Sequence, residues 1–95
     1  MVTNQQLAAF FSALGNERRL KIIENIEKGI SNPGQLSKKM DTARSTIEKH
    51  IRVLVEGGVL EKDPGLNPEG QLRVYYKVRE NVRKLLEMVR RQEIY

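Results

Sequence analysis

The sequence predicts a mainly α-helical domain with a small β-hairpin close to its C-terminal end, and three observations carry the prediction. Up to residue 56, apolar residues recur at helical spacing in successive segments separated by glycine, asparagine or Asn-Pro. Over residues 71–78 the period changes from 3.6 to 2, with Leu72, Val74, Tyr76 and Val78 alternating with Arg73, Tyr75 and Lys77. A last helical stripe, Val82, Leu85, Leu86 and Val89, then follows within 80–92.

Thr3 followed by Gln6 forms a capping box, and Leu7, Phe10, Phe11 and Leu14 line one face of a first helix that stops at Gly15. Asn16 caps a second helix, with Glu17 against the positive end of its dipole and Leu20, Ile22, Ile23 and Ile26 as its buried stripe up to Gly29. In Asn32-Pro33 a cap precedes proline at the first helical position, where its missing N–H costs nothing; Leu36 and Met40 complete a third helix of about two turns. Asp41-Thr42 breaks that helix. A fourth begins in the stretch TARSTIEKHIRVLVEGGVL, carries Ile47, Ile51 and Leu54 at i, i+4, i+7, and ends where Gly57-Gly58 supplies backbone conformations that other residues resist. Residues 59–63 and 71–78 are predicted antiparallel strands, the second with one buried face. The stretch PGLNPEG at 64–70 is rich in turn formers and too long for a two-residue hairpin turn, so it is expected to project as a loop. The fifth helix occupies 80–92.

Ninety-five residues fit one domain, 1–95, with 39% hydrophobic and 31% charged residues, the balance of a folded globular chain. The absence of cysteine excludes disulfides, a thiolate nucleophile and cysteine-ligated metal. The N-terminus has no basic start followed by an apolar core, and no run of about 18 apolar residues occurs, so the expected location is the cytoplasm without a membrane partner. A net charge of +5 favours a polyanion, and its distribution says more: 38–56 and 73–95 are net positive, flanking a net negative 57–72.

The short third helix, the break and the longer fourth helix have the proportions of a helix-turn-helix, and the ribbon after them makes the arrangement a winged helix-turn-helix. Placed at 100° intervals, Ile47, Ile51 and Leu54 cluster on one side of the fourth helix, with Ser45, Glu48, Lys49, Arg52 and Glu56 opposite. Such a face suits a major groove, although any amphipathic helix has a charged outer side. Arg73 and Lys77 point from the exposed face of the second strand and are expected at phosphates; Tyr75 shares that face, either touching the DNA backbone or packing across the ribbon. A lone His50 makes neither a metal site nor a catalytic set, and no nucleophile or phosphate-binding glycine loop is present, so an enzyme is not expected. Arg79, Arg83, Lys84, Arg90 and Arg91 read as a solvated face or as contacts to flanking DNA. The stripes at the two ends of the chain, Leu7, Phe10, Phe11 and Leu14 with Val82, Leu85, Leu86 and Val89, are the expected homodimer interface, because a small domain with two such stripes completes its core with a twin.

The sequence resembles the ArsR-type (arsenic-repressor-like) winged-helix transcription regulators over nearly its whole length. FFSALGNERRLKIIENI is similar to that family's opening helix pair, QLSKKMDTARSTIEKHIRVLVEGGVLEKD to its helix-turn-helix without gaps, and QLRVYYKV to its second wing strand. The resemblance implies a fourth helix that reads the major groove, a hairpin that serves as the wing, and first and last helices that form the dimer. It places Arg44, Ser45, Thr46, Lys49, His50 and Arg52 toward double-stranded DNA. Ala43 stands where the family has a capping serine, leaving the cap to Thr42 or Asp41. Glu48 stands where a small serine is usual, which requires a base donor such as a cytosine amino group or separation from phosphate. Asn32 and Gly34 occupy the positions of the metal-sensing cysteines, and the last helix has no histidine, so the resemblance implies a member without either metal site and without cofactor. It names no effector. The expected function is a homodimeric repressor that occupies a promoter; the alternative, motivated by Glu48 and by the acidic Glu61 and Asp63 in the wing stem, is a protein-interaction module that no longer reads DNA.

Overall fold

Side chains cap the first three helices. The computed structural model describes residues 1–92, with α1 (Asn4–Leu14), α2 (Glu17–Glu27), α3 (Pro33–Met40), α4 (Arg44–Glu56), β1 (Leu60–Leu66), β2 (Leu72–Val78) and α5 (Glu80–Arg90). Thr3 and Gln6 form the reciprocal capping box at α1, Asn16 accepts from the Arg19 amide at α2, and Asn32 and Gln35 form a second capping box at α3. At α4 the cap residue is Ala43 and no side chain takes the role. Thr42 instead donates its hydroxyl to the Met40 carbonyl, and Asp41 adopts the left-handed φ of 48° that closes α3. Ser37 fastens the turn by donating to the Thr42 carbonyl at 2.6 Å and accepting the Thr42 amide at its own carbonyl.

α4 ends in a Schellman motif, with the Val59 amide bonded to the Leu54 carbonyl and the Gly58 amide to that of Val55. The two glycines serve different ends, contrary to the expectation that both supply unusual conformations. Gly58 takes the positive φ of 80°, whereas Gly57 has an ordinary φ of −78°. Gly57 is required by proximity: a Cβ there would stand 2.8 Å from the Ala13 Cβ and 3.3 Å from the Ala9 carbonyl oxygen, where α1 crosses the end of α4.

The core gathers Ile22, Ile23 and Ile26 from α2, Leu36 from α3, and Ile47, Ile51 and Leu54 from α4, closed by Ala13, Val59, Leu60 and Val82. The hairpin departs from its predicted limits. β1 runs through Pro64-Gly65 to Leu66, paired from Leu60↔Val78 to Leu66↔Leu72, so the loop shrinks to 67–71. Proline is tolerated because β1 is an edge strand, in which alternate N–H groups face away from the partner. Asn67 closes the loop by accepting the Gln71 amide at 2.8 Å. Only the base of the expected buried face is covered: Tyr76 and Val78 pack against the core, but Leu72 and Val74 are 69% and 43% exposed, since the distal half of the ribbon extends past the helices.

Replacing Gly57 with alanine is expected to lower stability by about 1–3 kcal/mol, the cost of overpacking a close contact, measured by urea unfolding. Gly58→Asn, placing a residue that accepts positive φ, is expected to cost less.

Candidate nucleic-acid interface

α4 is positioned by its inner face. Ile47, Ile51 and Leu54 are almost wholly buried, which leaves Arg44, Ser45, Glu48, Lys49 and Arg52 exposed along the other side and Thr46 and His50 at its margins. Arg44 Nε donates to Glu48 Oε1 at 3.0 Å one helical turn on, so the carboxylate that stood out in the sequence is neutralised within its own helix. An exposed i, i+4 pair contributes only about 0.3–0.5 kcal/mol, less than the roughly 1.5–3 kcal/mol of a hydrogen bond to a charged group. Lys49 and Arg52 make no ion pair among the described residues.

The hairpin is fixed beside α4 by two bonds to the α2–α3 connection: the Tyr76 amide donates to the Ser31 carbonyl at 3.0 Å, and Asn32 Nδ2 donates to the Val74 carbonyl at 3.3 Å. This docking turns the face bearing Val74 and Tyr76 toward α4. A groove of about 780 Å³ results, bordered by Arg44 and Arg52 on one wall and by Lys62, Arg73, Val74 and Tyr76 on the other.

That orientation separates the candidates of the second strand relative to the groove. Tyr75 and Lys77 lie on the opposite face, away from the groove, because side chains alternate along a strand. Tyr75 instead covers Gly65, its ring about 3.6 Å from where a Cβ on that glycine would stand, and Lys77 Nζ lies 3.8 Å from Glu61 across the ribbon. Arg73 shares the strand face of Tyr75 and Lys77, yet it borders the groove near the distal end of the ribbon, its guanidinium bonded to the Leu72 carbonyl and to Gln71 Oε1. Lys62 was hidden in the sequence between Glu61 and Asp63; its period-2 relation to the buried Leu60 was the signal for its face.

Arg19 was also missed. Its Nε donates to the Ala13 carbonyl at 2.7 Å and its Nη2 to the Ser12 carbonyl at 3.1 Å, at the end of α1, while Nη1 lies 3.4 Å from His50 Nδ1 on α4. Burial of the imidazole, with the charges of Arg19 and then Arg18 nearby, holds the His50 pKa below its ordinary value.

Of the expected dimer residues, Val82 has no accessible surface and belongs to the core of its own chain. Phe10, Leu14 and Leu86 pack partly against that core, Leu85 and Val89 are half-buried, and Leu7 and Phe11 are exposed, as is Met88. A second groove of about 540 Å³ lies between α1 and the start of α5, bordered by Val2, Leu7, Phe10, Phe11 and Leu85.

Asn32 and Gly34 are engaged in capping α3, the Gly34 amide donating to Asn32 Oδ1 at 2.9 Å. Neither residue supplies the thiolates of a metal-sensing site. No helix among the described residues is long and apolar enough to cross a membrane.

Residues 16–62, from the cap of α2 into β1, match the family described as bacterial regulatory protein, arsR family. No curated protein matches the chain. Among solved structures it is similar to a homodimeric winged helix-turn-helix DNA-binding domain, fragment 1–100, from Mycobacterium bovis, a possible ArsR-family transcriptional regulator seen by NMR. The identity is 25% and the TM-score 0.77, covering 90% of this chain and 76% of that one. The crystal structure of a 1–100 fragment of a possible transcriptional regulatory protein from Mycobacterium bovis gives 25% identity and a TM-score of 0.75, covering 96% and 94% of the two chains. The crystal structure of an ArsR family transcriptional regulator, at 22% identity, shares the fold with a TM-score of 0.66 over 98% of this chain and 93% of that one. The family match runs over α2, α3, α4 and the start of β1 within the same winged helix-turn-helix architecture, so residues 16–62 form a helix-turn-helix segment of the arsR family, a family of DNA-binding transcription regulators rather than enzymes.

Proposed function

We propose that the protein is a homodimeric repressor that occupies promoter DNA in the cytoplasm, with α4 in the major groove and the hairpin along the flanking backbone. The observation that carries this reading is the net positive groove: Arg44 and Arg52 on α4 face Lys62 and Arg73 on the hairpin, four cations against the two carboxylates Glu48, which Arg44 pairs, and Glu56. Ser45, Thr46, Lys49 and His50 complete the side that meets bases and phosphates.

The homodimeric state of the similar domain from Mycobacterium bovis supports a two-fold assembly here. So do Leu7, Phe11 and Met88, whose exposures of 42%, 55% and 43% are large for apolar side chains that flank a groove or share the amphipathic α5. A two-fold axis through α1 and α5 offers two copies of α4 to successive major grooves, roughly 34 Å apart.

With six to eight phosphates neutralised, the log-log salt dependence of affinity is expected to have a slope of roughly −5 to −7, read by gel retardation of the DNA upstream of the protein's own gene. No retardation at low salt refutes the reading. Arg52→Ala and Lys62→Ala should each weaken binding and flatten the slope by about one, whereas Lys77→Ala and Arg90→Ala should leave both unchanged.

Phe11→Asp is expected to shift sedimentation toward the monomer. It should lower DNA affinity by about a hundredfold or more through loss of the linked second half-site.

A further inference from the structure

Arg19 occupies the third position of α2, where the helix dipole disfavours a cation, but the same guanidinium reaches the negative end of α1 through the Ser12 and Ala13 carbonyls. Its remaining Nη1 is directed at His50 Nδ1. A guanidinium only donates, so Nδ1 accepts through its lone pair and the single ring proton resides on Nε2. Nε2 has no partner among the described residues, and His50 lies at the margin of the exposed side of α4.

We infer that Arg19 is a positioning residue for DNA recognition: by tying His50 to the end of α1, it makes that histidine an uncharged donor that offers Nε2–H to an acceptor on the DNA, not a cation paired with phosphate. The inference rests on α4 facing DNA as proposed above. The charges that bear on the ring come from α2, Arg19 first and Arg18 behind it. α1 presents only carbonyls, which Arg19 occupies, and the residues one turn away on α4 are Thr46, Ile47, Val53 and Leu54, none of them ionisable; Lys49 is the adjacent residue in sequence. No carboxylate pairs with the ring among the described residues, so a protonated His50 would face only cations and would lose its bond to Arg19.

The lowered pKa carries a linkage whose sign follows from proton uptake. The unfolded chain binds a proton at His50 before the folded one does, so this contribution to stability is complete above about pH 6.5 and is lost as pH falls through the lower folded value.

Imidazole ¹⁵N NMR of the full chain without DNA tests the positioning. Wild type should show the Nε2–H form with a depressed titration midpoint. Arg19→Met should move that midpoint toward the ordinary value and populate both tautomers, with Arg19→Lys between them. Identical titrations in wild type and Arg19→Met overturn the inference.

With DNA, the wild-type salt slope should be the same near pH 8 and near pH 6, below the ordinary histidine value of about 6.5. A slope steeper by about 0.9 at the lower pH reports a cationic contact and overturns the donor role. His50→Ala should weaken binding about two- to tenfold, the loss of one hydrogen bond, and His50→Gln, which keeps an uncharged N–H, should recover most of it; equal losses in both overturn the donor role. Failure to bind DNA at all refutes the proposed function and the donor role with it, while the ring titration alone still decides whether Arg19 sets the tautomer.

Discussion

Everything that α4 presents outward depends on the burial of what it presents inward. Ile47, Ile51 and Leu54 are sealed against Ile22, Ile23, Ile26 and Leu36, and each such side chain contributes about 1.5–3 kcal/mol by leaving water. With no side-chain cap at Ala43, that apolar stripe has to orient the helix, while the bonds between Ser37 and Thr42 fix the turn that delivers the chain into it. A rotation of α4 by one residue would expose the stripe and bury Glu48 and Arg52, or Thr46 and His50, so the outward face of the helix is specified to within a fraction of a turn.

Two polar links then place neighbouring elements relative to that helix. The Ser31 carbonyl and the Asn32 amide group hold the outer edge of β2, which decides which face of the ribbon looks at α4. Arg19 joins the C-terminal carbonyls of α1 to the side of α4. A partner seated on Leu7 and Phe11 would thus press on a helix whose C-terminal end is bonded, through one guanidinium, to His50 on α4. Asn32 shows the same economy, since it caps α3 and docks the wing with one side chain.

All seven elements were legible in the sequence, because capping residues, apolar periods and the change of period at residue 71 are local. The limits of β1 were not. Pro64 and Gly65 read as loop, yet pairing with Val74 and Arg73 keeps them in the ribbon, and only an edge position makes proline harmless there. Gly57 read as a helix terminator; its role comes from the approach of Ala13, a residue 44 positions away that no local pattern points to. The alternation of the second strand correctly separated Val74 and Tyr76 from Tyr75 and Lys77. It could not say which set turns toward α4, because both faces of a protruding ribbon are largely exposed.

The sequence by itself determined the architecture, the inward face of α4 and the family resemblance, since these rest on spacing along one strand or helix and on motifs read in order. Only the tertiary structure decided the membership of the groove. Lys62 enters it and Tyr75 and Lys77 leave it because a bond from β2 to Ser31 sets the ribbon's roll. His50 is bound to Arg19 because two helices distant in sequence meet there, and contacts between distant segments follow from how the core packs, which no local period encodes.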